Sequence, residues 1–254
     1  IRAAAEAGLD AGAFEIIDTG AAAPDAAARA CDLARAGDVQ ALMKGSLHTD
    51  ELMGAAVSKE AGIRTARRIS HVFVMDVPTY AEPLFITDAA INIFPDLDTK
   101  VDIVQNAIDL CNDIGVKQPR VAILSAVETV TTKIPSTIEA AALCKMAERG
   151  QITGGLVDGP LAFDNAIDME AARIKNIRSE VAGRAQILVV PDLEAGNMLA
   201  KNLTFLAGAD AAGIVVGARV PIVLTSRADS VRARMASCAI AALYAQSRAA
   251  IPGE

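Results

Sequence analysis

Short, continuous apolar runs in this chain are separated by longer stretches in which an apolar position recurs every three or four residues. The first pattern marks strands buried on both faces, and the second marks helices with one buried stripe. Strands are predicted at 14–18, 39–43, 69–77, 84–93, 121–124, 187–190, 214–216 and 222–224. Helices are predicted from Pro24 to Gly37, from Thr49 or Asp50 onward, over 99–114 with Asp98 as N-cap, over 137–149 after Pro135-Ser136, and over 230–246. Such alternation with short connections predicts an α/β fold with a largely parallel sheet. There is no internal repeat, and the one biased stretch is the Ala-rich turn at 20–23.

Ligands of such sheets collect beyond the carboxyl ends of strands. Thr225-Ser226-Arg227-Ala228-Asp229-Ser230 follows one predicted strand and precedes the last helix. A hydroxyl, a guanidinium and the first amides of a helix there make an anion site. The same residues also read as a helix cap, from Ser226 or Asp229, with Arg227 in a surface ion pair. Lys44 stands at the end of an earlier strand. At the end of 187–190, Asp192, Gly196 and Asn197 are candidates to meet a polar ligand, or else to open a helix with Asp192 and Glu194 balancing its dipole. Asp158, Gly159 and Pro160 read equally as a site or as a turn.

Composition narrows the chemistry. The 254 residues carry a net charge of −7, are 52% hydrophobic and only 3% aromatic, and a fifth are alanine. A core of small aliphatics and no basic surplus argue against a nucleic-acid binder. No apolar run reaches the length of a membrane span, and no secretory leader is visible, so the expected location is the cytoplasm. The cysteines (Cys31, Cys111, Cys144, Cys238) are too dispersed for a zinc site or a disulfide framework, and His48 and His71 have no ligand spacing, so no metal is expected. A phosphate-cradling P-loop and a dinucleotide-binding glycine fingerprint are both missing.

Several long motifs, in order, resemble the phosphate acetyl/butyryltransferase family, with the butyryltransferase branch fitting better through 224–230. They are 42–50 (Leu-Met-Lys-Gly-Ser-Leu-His-Thr-Asp), 71–78, 152–167 (which contains Asp158-Gly159-Pro160), 189–197 and 221–230. The resemblance implies acyl transfer between coenzyme A and inorganic phosphate by direct attack in a ternary complex, with CoA as substrate and no cofactor. It implies a fold like that of isocitrate and isopropylmalate dehydrogenases, with two α/β domains flanking a cleft. The expected division is 1–70 plus 218–254 against 71–217. It further implies a homodimer and an N-terminal stretch before Ile1.

The family's Ser-Arg pair falls on Ser226 and Arg227. Arg227 is expected to hold phosphate and transition-state charge, and Ser226 to hydrogen-bond the reacting thiol or carbonyl. Acetyltransferases of the family carry an Asp several residues further on, where this chain has Val231-Arg232-Ala233-Arg234; Asp229 is the nearest carboxylate and the candidate base. The family's upstream Arg is not found after His48-Thr49, and Lys44 is the candidate substitute. Asp158, Gly159, Pro160, Asp192, Gly196 and Asn197 are expected to shape the acyl-CoA cleft. Two other readings stand beside this one. One is a metal- and NAD-dependent decarboxylating dehydrogenase on the same fold, discriminated by NADH formation; the other is a non-catalytic acyl-CoA sensor, discriminated by binding without turnover.

Overall fold

In the computed structural model, residues 10, 12, 14–20, 23–224 and 229–249 are described. The elements in chain order are α1 (Ala23–Ala36), β1 (Leu42–Met43), α2 (Thr49–Ala56), β2 (Ser70–Asp76), β3 (Leu84–Thr87), α3 (Leu97–Asp113), β4 (Arg120–Leu124) and α4 (Pro135–Glu148). They continue with β5 (Leu156–Leu161), α5 (Phe163–Ile167), α6 (Met169–Ile174), β6 (Ile187–Val189), α7 (Leu193–Leu206), β7 (Asp210–Val216), β8 (Ile222–Val223) and α8 (Val231–Ala249).

All eight strands join one sheet in the order β1-β8-β7-β2-β3-β6-β4-β5. The expectation of largely parallel sheets is corrected here: the strands form a single, mixed sheet. The pairs β1/β8, β3/β6, β6/β4 and β4/β5 are parallel, whereas β8/β7, β7/β2 and β2/β3 are antiparallel. The reason lies in connection length. Only residues 77–83 join β2 to β3 and only 217–221 join β7 to β8, both shorter than the dozen or so residues a parallel crossover needs.

Alternate residues along each central strand face two different cores. Phe85, Ile187, Val121, Ile214 and Val223 pack with residues of α3, α4 and α8 on one face. Their neighbours Ile86, Leu188 and Ala122 face a second cluster with Ala166, Ala172 and Ala200. Val215 and Ile222 instead meet a third cluster with Cys31, Leu52 and Ile63 from the α1–α2 region. The result is three layers, with one outer layer split into two halves.

Several predicted elements shift. The run 84–93 is a strand only to Thr87, because the polar Asp88 ends the pairing with a turn. The cap of α3 is Asp96, whose carboxylate accepts from the Thr99 N–H at 2.9 Å, so Asp98 lies inside the helix. Residues 14–18 form no strand; no neighbouring strand pairs with them, and Phe14 is exposed. Asp158, Gly159 and Pro160 lie within β5, not after a strand. Pro160 is tolerated there because β5 is the last strand of the sheet, and the β4/β5 register shifts beside it.

Candidate active site

Parallel pairing of β1 with β8 decides where Lys44 goes. Leu42 lies opposite Ile222 and Met43 opposite Val223, and the Lys44 N–H donates to the Val223 carbonyl at 3.0 Å. Lys44 therefore stands beside Leu224, the residue that leads into Thr225-Ser226-Arg227-Ala228. These four residues, with the predicted Ser226 and Arg227, lie outside the described residues. The Lys44 side chain is 8% exposed, and its ammonium donates to the carbonyls of Leu47 (3.1 Å) and Gly45 (3.4 Å). These carbonyls take the place of water around part of the ammonium.

The other wall of this margin is the start of α8, a helix of 19 residues. Its cap is Ser230, whose Oγ accepts from the Ala233 N–H at 3.1 Å while its carbonyl accepts from Arg234 N–H. Of the two candidates the sequence offered for this cap, Ser226 lies outside the described residues and Asp229 immediately precedes Ser230, whose oxygen accepts at this end. Against β1 the helix sets Cys238 Sγ at 3.4 Å from Met43 Sδ. A buried lysine thus stands where the chain enters the Ser-Arg segment, and the positive end of a long helix begins just after that segment.

The remaining predicted residues lie elsewhere. Strands β3, β6, β4 and β5 run opposite to β1 and β8, so their carboxyl ends point to the other margin of the sheet. There Asp192 caps α7 by accepting from the Ala195 N–H at 2.9 Å. Gly196 is buried against 88–90, where a Cβ would come within 2.9 Å of Ala89 Cβ and 2.8 Å of Val190 Cγ2. Asn197 donates from Nδ2 to the Ala89 carbonyl at 3.4 Å. Asp158 accepts from the Gly159 N–H at 2.8 Å, and a Cβ on Gly159 would strike Ile123. Lys44 thus stands beside Leu224 on one set of strands, and these six residues belong to the oppositely running set.

Sequence reading missed an interior polar knot beside the α7 cap. Asp88, 3% exposed, accepts at Oδ1 from the N–H groups of Ala90 and Ile91, and at Oδ2 from the N–H and Nδ2 of Asn92. Asn92 also donates to the Ile69 carbonyl. An Asp followed four residues later by Asn, at the end of an apolar run, was the available signal. Nearby His71 is enclosed on β2, edge-on to Phe73, with Nδ1 lacking a partner. Burial lowers its pKa to about 4, while the charge of Asp88 pulls the other way. A base depressed on folding binds fewer protons folded than unfolded, so its contribution is complete above about 6.5 and is lost as pH falls toward 4. We expect the urea midpoint to drop over that window and His71→Leu to flatten the drop, by roughly 3 kcal/mol at the acid end. An unchanged pH profile in the variant would show that His71 is not the titrating group.

A family model described as Phosphate acetyl/butaryl transferase matches residues 11–242. The chain belongs to this family. It is 74% identical over 247 residues to the phosphate acetyltransferase of Rhizobium meliloti, covering 97% of this chain and 78% of that protein. To the phosphate butyryltransferase of Clostridium acetobutylicum it is 43% identical over 241 residues, covering 95% and 80%. It spans 65% of the length of the Rickettsia prowazekii relative. Among solved structures, the branched-chain phosphotransacylase of Enterococcus faecalis V583 superposes with a TM-score of 0.82 at 32% identity, over 91% of this chain and 86% of that one.

Other chemistry in this phosphate acyltransferase family member is placed by the same geometry. Among the described residues no cluster of three or more His, Cys, Asp and Glu side chains is arranged to hold a metal ion, and no helix is long and apolar enough to cross a membrane. Burial pushes the thiol of Cys144 up to about 12 and raises those of Cys31 and Cys111 as well, so these three are poor nucleophiles at neutral pH.

Proposed function

We propose that this chain moves an acetyl or other short acyl group between coenzyme A and inorganic phosphate, by direct attack in a ternary complex. Family membership makes it an acyltransferase; the observation that supports the site is the β1/β8 pairing, which seats buried Lys44 next to the entry of Ser226-Arg227 at the head of α8. A phosphate oxygen attacks the thioester carbonyl, the carbonyl oxygen becomes an oxyanion, and collapse breaks the carbon–sulfur bond. The products are acyl phosphate and CoA thiolate, which takes up a proton. Holding phosphate and thioester together removes the cost of their encounter.

In this reading Arg227 holds the phosphate through its paired donors and stabilises charge in the transition state. Ser226 donates to the carbonyl or the sulfur, and Lys44 adds positive charge from the opposite wall. Asp229 is the base that takes the thiol proton in the reverse direction. Asp192, Gly196 and Asn197 shape the acyl-CoA cleft indirectly, by seating the 88–95 segment, and Asp158, Gly159 and Pro160 do so by fixing the β5 margin. CoA enters as substrate, and the reaction needs no cofactor. The split outer layer supports a division into 1–70 plus 218–254 and 71–217, since the α1–α2 cluster is separate from that beneath β3 and β6. We further assign the chain to the cytoplasm and to a homodimer, the exposed Met198, Phe205 and Leu206 of α7 supplying apolar surface.

The test is phosphate- or arsenate-dependent release of CoA from acetyl-CoA and butyryl-CoA, followed with a thiol reagent. Release that requires the oxyanion supports the proposal, and the ratio of the two rates gives the acyl preference. Acyl-CoA binding by folded protein without release would overturn it. Because Ser230 is the helix cap, Asp229→Asn is expected to leave the melting temperature near that of the parent while lowering turnover by about 10²-fold. A variant that keeps its rate and loses only stability would remove Asp229 from the chemistry.

A further inference from the structure

At the opposite end of β8 and α8 from the Ser-Arg segment lies a pocket of about 690 Å³. Among the described residues its lining includes Arg35, Arg64, Arg219 and Arg248 and no Asp or Glu, in a chain whose net charge is −7. Arg35 comes from the last turn of α1, Arg248 from the last turn of α8. Arg64 and Arg219 come from two segments bound to each other: Arg64 bridges to Ala218, and the Arg219 N–H donates to the Ile63 carbonyl at 2.9 Å.

Three of these side chains, those of Arg35, Arg219 and Arg248, are held by contacts of their own. Arg219 Nη1 donates to the Arg35 carbonyl at 3.3 Å, and the Arg248 guanidinium lies 5.5 Å over the ring of Tyr244 while donating to its hydroxyl. Arg35 is already ion-paired to Asp32, so its charge is partly spent. Neither Arg64 nor Arg219 is within ion-pair distance of a described carboxylate. Several guanidinium groups converging on one concavity repel each other, and a multivalent anion relieves that repulsion while satisfying their planar donor forks. The rest of the described lining is alanine, glycine, valine and proline with Thr65 and Gln40 and no aromatic ring, which suits an aliphatic carbon skeleton.

We propose that this pocket is a second anion site, which binds a small aliphatic molecule carrying two or more phosphate groups and is separate from the acyl-transfer site. The 19 residues of α8 put about 28 Å between Ser230 and the final turn, by the rise of an α-helix. The pocket's Pro221 enters β8 as Leu224 leaves it for the Ser-Arg segment, so the two sites sit at opposite ends of that strand.

Tripolyphosphate, titrated calorimetrically into the full chain, is the probe. Saturable binding is expected that weakens at least about tenfold in Arg64→Ala/Arg219→Ala, weakens with added salt, and persists with saturating acyl-CoA present. Both arginines are exposed, so the double variant is expected to fold and to keep its basal CoA release; circular dichroism and a melting curve confirm this before the titration. In the parent, tripolyphosphate raises the melting temperature, and in the variant it does not. Equal affinity in parent and variant, or displacement of tripolyphosphate by acyl-CoA, would overturn the proposal. Failure of this site leaves the acyltransferase reading untouched, since that rests on CoA release.

Discussion

Arg227→Ala is expected to lower phosphate-dependent CoA release by about 10²–10³-fold, with the melting temperature unchanged. The expectation follows from what the reaction does with charge. Phosphate arrives as an anion, and the attack puts further negative charge on the thioester oxygen, so a guanidinium aimed at both is worth more in the transition state than in the ground state. Loss of a group of that kind lowers kcat and kcat/KM together, whereas loss of a simple phosphate holder raises KM alone. Arg227→Lys separates the fork from the charge: a lysine restores a point charge but not the paired donors, and its rate is expected to fall between the two. Buried Lys44, beside the entry to that segment, leaves the variant a nearby cation along the chain's fold. Turnover by Arg227→Ala equal to the parent would sink the assignment of Arg227, and CoA release that still depends on phosphate would leave the family activity standing.

Asp88→Ala is the substitution expected to do most harm to the fold. One carboxylate there receives the backbone N–H groups of Ala90, Ile91 and Asn92 and the side-chain amide of Asn92. Truncation leaves those donors without an acceptor in a place that is closed to water. The cost is expected to reach at least about 3 kcal/mol, a large fraction of the stability of a typical domain. The damage spreads along contacts already described: the 88–95 turn is what Asn197 and Gly196 pack on, and the Leu193 N–H donates to the Ile93 carbonyl. Asp88→Asn, which keeps the shape and one acceptor, is expected to cost less than half as much. Urea unfolding of the two variants measures both, and a loss under about 1 kcal/mol for Asp88→Ala would show that water reaches the freed donors.

Strands and helices were legible where burial on both faces or a single stripe dictated a period, as at β4, β6 and α4. Residues 121–124 and 187–190 are apolar throughout because both faces of the sheet are covered there. The strand directions were not legible, since nothing local to 69–77 or 84–87 records which way its neighbour runs. That direction places Lys44 near the Ser-Arg entry and sends Asp192, Gly196 and Asn197 to the other margin. Their roles were not separable from the sequence, because helix caps and close helix–turn contacts draw on the same residue types as binding sites. Asp88 was hidden for the opposite reason: it sits inside a run that otherwise reads as strand, and only its four donors, from residues 90–92, reveal what it does.

The two outermost strands have a consequence for how copies of this chain meet. One margin of the sheet is β1, two residues long, and the other is β5, interrupted by Gly159 and Pro160. Neither offers an unbroken row of backbone donors and acceptors on which a further strand from another chain would template. Open sheets of this size invite edge-to-edge growth, and among the described residues both edges discourage it. Contact between copies through these two edges is thereby disfavoured, which leaves side-chain surfaces as the chemically distinct alternative to fibre-like addition.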